Sequence, residues 1–133
     1  MSNLPVKNPQ LTEIARVVEN LFIGSYEAAT NIDMLKSLSI TYVLSLDTVK
    51  PCLDSTLEQL FICVSDQPTS DILSLLPAAL QFLGDSLQGG GVLVHCRHGA
   101  SKSAAVLMAW MLKEEGESVE TVLGQVGHDE GAV

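Results

Sequence analysis

Hydrophobic and polar positions alternate along the chain in blocks that predict strands and helices in turn. Two short apolar runs, residues 14–18 and 21–23, are separated by two polar residues and indicate a β-hairpin, with a short helix as the alternative. Apolar residues then recur at helical spacing over residues 25–38, which predicts one amphipathic helix that ends near Ser39.

Three nearly continuous apolar runs, residues 40–47, 60–64 and 92–94, indicate strands that are buried on both faces of a sheet. Because strands and helices alternate, we predict an α/β domain with a central, mostly parallel sheet flanked by helices. Ligands of such sheets bind beyond the carboxyl ends of the strands. Asp66 and Cys96 each follow a predicted strand, so we expect both side chains at one rim of the sheet.

Two further periodic segments predict helices after the second and third of these strands. The first begins near Ile72 and contains Pro77, which a helix tolerates only in its first turn, so the helix either starts late, near Leu75, or is kinked. The second, residues 104–112, is wholly apolar and is expected in the middle of the core.

Length bounds the organisation of the chain, because 133 residues have room for one domain with a single core. We expect a flexible lead-in over residues 1–10, the domain over residues 11–126 and a frayed tail over residues 127–133. No apolar run is long enough for a membrane span, and the first ten residues lack a secretory pattern. Both observations favour a cytoplasmic protein, with the nucleus as a further compartment and without a membrane partner.

Charge and cysteine content narrow the kind of site. The net charge of −9, with only seven Lys and Arg, disfavours nucleic acid as a partner. Three cysteines without CxxC spacing indicate neither a disulfide framework nor a zinc site, and we predict no metal or organic cofactor. The window from His95 to Ala109 contains two histidines, one Arg, one Lys and no carboxylate, so an anion can be received there.

Residues 95–103, HCRHGASKS, here called the signature segment, join an apolar strand to an apolar helix. Backbone N–H groups before a first helical turn lack intrahelical acceptors, and the helix dipole adds partial positive charge where they converge. Helix N-termini and neighbouring cations favour the thiolate, which is the nucleophilic form of cysteine. The segment is therefore predicted to hold an anion beside a reactive Cys96.

The signature segment resembles that of the cysteine-dependent protein phosphatases, and most closely HC-x-x-G-x-S-R-S of the dual-specificity phosphatases. The resemblance extends to ENLFIGSYEAATNIDMLKSLSITYVLSLD and ICVSDQPTSDILSLLPAALQFL, and covers roughly residues 14–125. It is nearest to the atypical members of the family, and the zinc-binding tail of some of them is not present. The resemblance implies the fold of that family, with a chain that stops before the family's final C-terminal helix.

The resemblance also implies a function, the hydrolysis of phosphotyrosine and of phosphoserine or phosphothreonine in a phosphorylated protein substrate, through a cysteinyl-phosphate. Cys96 would be the nucleophile, Asp66 the general acid and then the base, and Ser103 would stabilise the departing sulfur. Asp71 is the competing carboxylate, although it also suits a helix cap. The substrate phosphate would be held by the rest of the signature segment, which comprises His95, Arg97, His98, Gly99, Ala100, Ser101 and Lys102.

One position departs from the family signature, because Lys102 stands where the family has arginine. An ammonium group keeps the charge of a guanidinium but not its two-pronged geometry. Loss of one transition-state donor costs roughly 10²–10³ in rate in other enzymes, so we predict reduced activity. Arg97 is not expected to substitute, because one residue after the cysteine its side chain would point toward solvent or substrate.

Two alternatives to a slow phosphatase are open on the sequence. A pseudophosphatase would bind phosphorylated partners without hydrolysing them, and Lys102 favours it, whereas retention of Cys96 and Asp66 favours the enzyme. A sulfurtransferase-like cysteine loop is the weaker alternative, because it would not need Asp66.

Overall fold

The computed structural model describes residues 14–65, 72–97 and 101–116, which form a five-stranded sheet with helices packed on it. The strands are β1 (Ile14–Val18), β2 (Leu21–Gly24), β3 (Ile40–Asp47), β4 (Glu58–Cys63) and β5 (Gly91–Cys96). The helices are α1 (Tyr26–Thr30), α2 (Ile32–Ser37), α3 (Ile72–Ser86) and α4 (Ser101–Glu114).

The strand order across the sheet is β1-β2-β5-β3-β4, which places β5 in the centre. The β1–β2 pair is antiparallel and is the predicted hairpin, whereas β2–β5, β5–β3 and β3–β4 are parallel. The predicted α/β class with a mostly parallel sheet is therefore confirmed. Between β3 and β5, Ser45 lies opposite His95 and Leu46 lies opposite Cys96.

Alternate residues of the two central strands face opposite halves of the core. Leu46 and Cys96 belong to the cluster formed with the buried residues of α3 and α4, whereas Val43 and Leu93 belong to a cluster with Leu35 of α2. The pleat thus directs Cys96 toward the α3–α4 side of the sheet and directs its sequence neighbours toward the α1–α2 side.

The predicted helix over residues 25–38 is two short helices that meet at Asn31. The Asn31 backbone adopts φ −93° and ψ 84°, and its side-chain oxygen accepts a hydrogen bond from the Met34 N–H at 3.2 Å. Asparagine is among the preferred N-cap residues because its side chain satisfies an N–H that has no intrahelical acceptor. The apolar periodicity of the sequence continues through Asn31, so the periodicity alone does not predict the break between the two helices.

The strand predicted over residues 60–64 is shifted and is not buried on both faces. It runs over β4 instead, and Val64 follows it. Among the described strands β4 pairs only with β3, which makes it an edge strand with half-buried side chains. An apolar run alone does not distinguish a central strand from an edge strand.

The two long helices also differ from expectation. α3 is helical from Ile72 through Pro77, so the late start near Leu75 is wrong. α4 extends beyond the predicted residues 104–112 at both ends and buries only one face, since Met111 is 39% exposed. No helix in the described ranges is long and apolar enough to cross a membrane. The expected lead-in, tail and missing final helix lie outside the described residues.

We predict opposite effects for two glycine-to-alanine changes. At Gly91, an added Cβ would lie 2.8 Å from the Ser39 carbonyl oxygen, so β5 or the backbone before β3 must move. At Gly84, the Cβ would meet only the Trp110 ring at 3.7 Å, an ordinary contact. We expect Gly91→Ala to lower the free energy of unfolding by about 1–3 kcal/mol.

Gly84→Ala is the matched control, and we expect it to raise that free energy by up to about 1 kcal/mol because alanine favours a helix. Urea denaturation of the three proteins measures both changes. Equal effects at the two positions would show that the close approach at Gly91 is not a constraint.

Candidate active site

Cys96 is the last residue of the central strand and is 5% exposed. It lies beside Leu46 at the carboxyl end of β3, and helix α4 begins five residues later at Ser101. Both residues line a shallow pocket, whose wall is completed by Asp47, Thr48, Val64, Ser65, Arg97 and Lys102. A thiol and two cationic side chains therefore share one pocket beyond the carboxyl ends of two parallel strands, where such sheets bind ligands.

His95 is fully buried on the opposite side of the sheet from Cys96 and belongs to a chain of hydrogen bonds. Its Nε2 lies 2.7 Å from the Ser45 hydroxyl oxygen, which also accepts a hydrogen bond from the Gln59 amide at 3.0 Å. The same amide nitrogen lies 3.3 Å from the Pro51 carbonyl oxygen. Since Gln59 donates to the Ser45 oxygen, the hydroxyl proton is available to His95 Nε2, and we assign the imidazole proton to Nδ1.

The imidazole of His95 is uncharged at neutral pH. The pKa of His95 is lowered from 6.5 to about 4, chiefly by burial; the Asp47 charge opposes this shift and the Arg97 charge adds to it. Its Nδ1 has no hydrogen-bond partner in the part of the chain that the structure describes. A buried N–H beside the nucleophile is consistent with the predicted support of the thiolate, which stays a prediction.

Arg97 is exposed and lines the pocket, in agreement with the outward direction suggested by its sequence position, and its guanidinium is held at the end of β3. Arg97 Nε lies 3.0 and 3.1 Å from the two Asp47 carboxylate oxygens, and its guanidinium carbon lies 4.1 Å from the centroid of the Tyr26 ring. The hydrogen bond to Asp47 raises the pKa of the Arg97 guanidinium. With its side chain held in this way, Arg97 is poorly placed to replace the missing arginine.

The first turn of α4 contains three predicted site residues. Ser101 is its first residue, and Lys102 lines the pocket with Cys96. Ser103 is 1% exposed, and its hydroxyl has no hydrogen-bond partner among the described residues. A buried hydroxyl at the start of a helix that follows the nucleophile suits the predicted role of Ser103, which no contact in the described residues tests.

Four predicted site residues, namely Asp66, His98, Gly99 and Ala100, lie outside the described residues. Asp71, the competing carboxylate, lies outside them as well. In the described ranges, no group of three or more His, Cys, Asp and Glu side chains is arranged as a metal site requires.

Sequence reasoning missed Asp47, Ser45 and Tyr26. The rule that selected Asp66 and Cys96, a polar side chain at the carboxyl end of a buried strand, applies equally to Asp47 at the end of β3. The sequence pattern includes Asp47 in the apolar run over residues 40–47, so it places this carboxylate within the strand and not after it. Tyr26 gave no signal, since its contact with Arg97 depends on the packing of α1 against β5.

Comparison with known proteins shows the family. The family model described as "Dual specificity phosphatase, catalytic domain" matches residues 21–132. The chain is 39% identical over 106 residues to "Dual specificity protein phosphatase MPK-4" of Drosophila melanogaster, which covers 75% of the chain. It is 34% identical over 106 residues to "Dual specificity protein phosphatase 1B" of Arabidopsis thaliana, which covers 78% of the chain. The chain belongs to the dual specificity phosphatase family.

A solved structure agrees with this assignment. The human tyrosine phosphatase-like serine/threonine/tyrosine-interacting protein superposes with a TM-score of 0.71 at 27% identity, over 86% of this chain and 82% of that one. The chain spans 27% of the fly protein, 64% of the plant protein and 45% of a Dictyostelium discoideum relative. What those whole proteins act on is therefore a separate question from the family of this domain.

We predict that acid destabilises the protein partly through His95. Because burial lowers the pKa of His95 from 6.5 to about 4, the unfolded chain binds more protons between these values. The stability due to neutral His95 is complete above the unfolded value and falls as the pH is lowered toward the folded value. At pH ~5 this group alone accounts for a loss of about 2 kcal/mol.

Urea titrations at pH ~7.5 and ~5 measure this loss as the difference between two free energies of unfolding. In a His95→Gln variant, which cannot titrate at this position, we expect the difference between the two pH values to be smaller. The same difference in both proteins would assign the acid sensitivity to other groups.

Proposed function

We propose that this domain is a cysteine-dependent protein phosphatase that hydrolyses phosphotyrosine, and also phosphoserine or phosphothreonine, slowly. The observation that carries the proposal is the pocket in which buried Cys96, at the end of the central strand, adjoins Lys102 in the first turn of α4. Family membership supports the reaction class. A phosphorylated protein in the cytoplasm or nucleus would be its substrate.

The reaction would run in two steps. In the first, the Cys96 thiolate attacks phosphorus, the bond from phosphorus to the substrate oxygen breaks, and Asp66 donates its proton to that oxygen. In the second, the Asp66 carboxylate takes a proton from water, the water oxygen attacks phosphorus, and the bond from sulfur to phosphorus breaks. Ser103 would donate a hydrogen bond to the departing thiolate, and inorganic phosphate leaves.

Lys102 is proposed to limit the rate. Both steps transfer a phosphoryl group whose oxygens must be held while charge moves between them. A guanidinium binds two of these oxygens in one plane, whereas an ammonium holds them as a point charge. The hydrogen bond between Arg97 and Asp47 supports this view, because it restrains the other guanidinium that lines the pocket.

A second candidate function is that of a pseudophosphatase, which captures a phosphorylated partner without turnover. Lys102 favours it, because binding tolerates the loss of bidentate geometry better than catalysis does. The superposition with the human structure described as tyrosine phosphatase-like and as an interacting protein adds to this candidate. Retention of Cys96 favours the enzyme.

We predict that Lys102→Arg raises kcat/KM for a small aryl phosphate at least tenfold, because the guanidinium adds a second hydrogen bond to the phosphoryl oxygens in the transition state. The parent should hydrolyse the substrate weakly, and Cys96→Ser should abolish hydrolysis. Lys113→Arg is the matched control, because that lysine lies over the Trp110 ring in the last turn of α4, away from the pocket. Initial-rate kinetics of the four proteins make the comparison.

Inactivity of both the parent and Lys102→Arg would overturn the phosphatase proposal. In that case Cys96→Ser should still bind a phosphotyrosine peptide by isothermal titration calorimetry, if the second candidate is correct.

We predict a different signature for the general acid. Asp66→Asn should slow hydrolysis of an alkyl phosphate, whose leaving group needs a proton, by about 10²-fold or more, and should slow a good aryl leaving group far less. Asp71→Asn is the matched control for the competing carboxylate. If Asp66→Asn leaves turnover of the poor leaving group unchanged and Asp71→Asn lowers it, the two assignments must be exchanged.

A further inference from the structure

The two residues that flank Cys96 are both tied to β3 by their side chains. His95 is hydrogen-bonded to Ser45 at 2.7 Å, and Arg97 is ion-paired with Asp47 at 3.0 Å. Cys96 packs into the cluster on the α3–α4 side of the sheet, whereas His95 and Arg97 both lie near the Tyr26 ring of α1. Cys96 and Arg97 both line the pocket, as does Asp47, and the side chains of both neighbours of Cys96 are anchored to β3.

The anchor of Arg97 is a buried carboxylate. Asp47 is 1% exposed, and besides Arg97 it accepts a hydrogen bond from the Thr48 N–H at 2.7 Å. A carboxylate out of water is costly unless its charge and its lone pairs are matched. The Asp47 side chain therefore has little freedom, and it transmits this restraint to the Arg97 side chain.

Tyr26 restrains the same guanidinium from another direction. Its ring covers the guanidinium face at 4.1 Å, within the range of a cation–π contact, and its centroid lies 6.4 Å from that of the His95 ring. Tyr26 is itself fixed as the first residue of α1, next to Ser25, whose hydroxyl caps the helix by accepting from the Ala28 N–H at 3.1 Å. The Arg97 guanidinium is therefore restrained by the Asp47 carboxylate at its edge and by the Tyr26 ring on its face.

On the basis of the proposed function, we propose that Asp47 and Tyr26 are positioning residues for the signature segment. They hold Arg97, and through one peptide bond they fix the backbone that leaves Cys96. The thiolate and the Arg97 backbone N–H then keep their places when an oxyanion enters. Arg97 contributes to phosphate binding through this backbone rather than through its guanidinium.

Electrostatics and positioning make opposite predictions for the two charged partners. If the pair acts only through its charges on an anion in the pocket, Asp47→Asn strengthens anion binding and Arg97→Gln weakens it. Positioning predicts that both changes weaken binding, because either one releases the Arg97 side chain. Tyr26→Leu carries no charge change, so electrostatics predicts no effect there and positioning predicts a loss.

The test measures tungstate binding by isothermal titration calorimetry and the alkylation rate of Cys96 by iodoacetamide, read by mass spectrometry. Cys52→Ser and Cys63→Ser form the background, since both of those thiols are exposed. We expect Asp47→Asn, Arg97→Gln and Tyr26→Leu each to weaken tungstate binding and to slow alkylation about fivefold or more. The Asp47→Asn/Arg97→Gln double variant should resemble either single variant, because the pair acts as a unit.

Matched controls are Asp85→Asn, an exposed carboxylate bonded to Gln81, and Arg16→Gln, a guanidinium over the Phe22 ring. Both should leave binding and alkylation unchanged. Tyr26→Phe keeps the ring face and should restore most of what Tyr26→Leu loses. Melting temperatures measured alongside separate these effects from a loss of folded protein.

Opposite effects of Asp47→Asn and Arg97→Gln would overturn the proposal, and so would lowered melting temperatures with unchanged binding and alkylation in the folded protein. Neither readout needs turnover. A parent that binds tungstate but hydrolyses nothing would therefore contradict the proposed phosphatase activity and leave the positioning role to be decided by the variants. If the parent does not bind tungstate, the alkylation rates of Cys96 in the variants alone test the positioning role.

Discussion

The parallel pairing of β3 with β5 sets the place of the side chains around the nucleophile. Leu46 opposes Cys96, so each strand sends alternate residues to the two faces of the sheet in step with the other. A slip of β5 by one residue would turn the Cys96 thiol to the α1–α2 side of the sheet and its neighbours to the α3–α4 side. Such a slip would bring His95 among apolar side chains of α3 and α4 and away from Ser45, which makes the observed register strongly specified.

Polar side chains in this register are buried at one end of the sheet. Ser45, Asp47 and His95 are all inaccessible, and each has a partner on the neighbouring strand or on its own loop. Replacing a buried ion pair by well-packed apolar residues is often neutral or stabilising. Stability alone therefore does not account for a carboxylate and an imidazole at this place. Their place at the end of the sheet where ligands bind does account for them, since His95 precedes Cys96 and Asp47 follows Leu46, the residue paired with Cys96.

Sequence periodicity predicted the elements that are regular and missed what depends on tertiary packing. The hairpin and the strand over residues 40–47 were predicted because alternation and β-branched runs act within one element. The break at Asn31 and the edge position of β4 were missed, since the first requires a capping contact and the second depends on which strands become neighbours. Cys96 was found because a strand, a loop and a helix follow one another in sequence. Asp47 was not, because its partner Arg97 is 50 residues away.

The carboxyl ends of β3 and β5 and the first turn of α4 contribute different groups to the pocket. The β3 side chains restrain the chain on either side of Cys96, so the thiol enters the pocket from a fixed backbone. Lys102, in the first turn of α4, lines the same pocket as that thiol. A lysine at this position offers a bound phosphate the same positive charge as an arginine. It cannot hydrogen-bond two phosphoryl oxygens in the bidentate geometry of a guanidinium while the phosphoryl group is transferred. Under the proposed function, the exchange of the signature arginine for Lys102 therefore lowers the rate more than it weakens phosphate binding, since only contacts that strengthen during the reaction raise its rate.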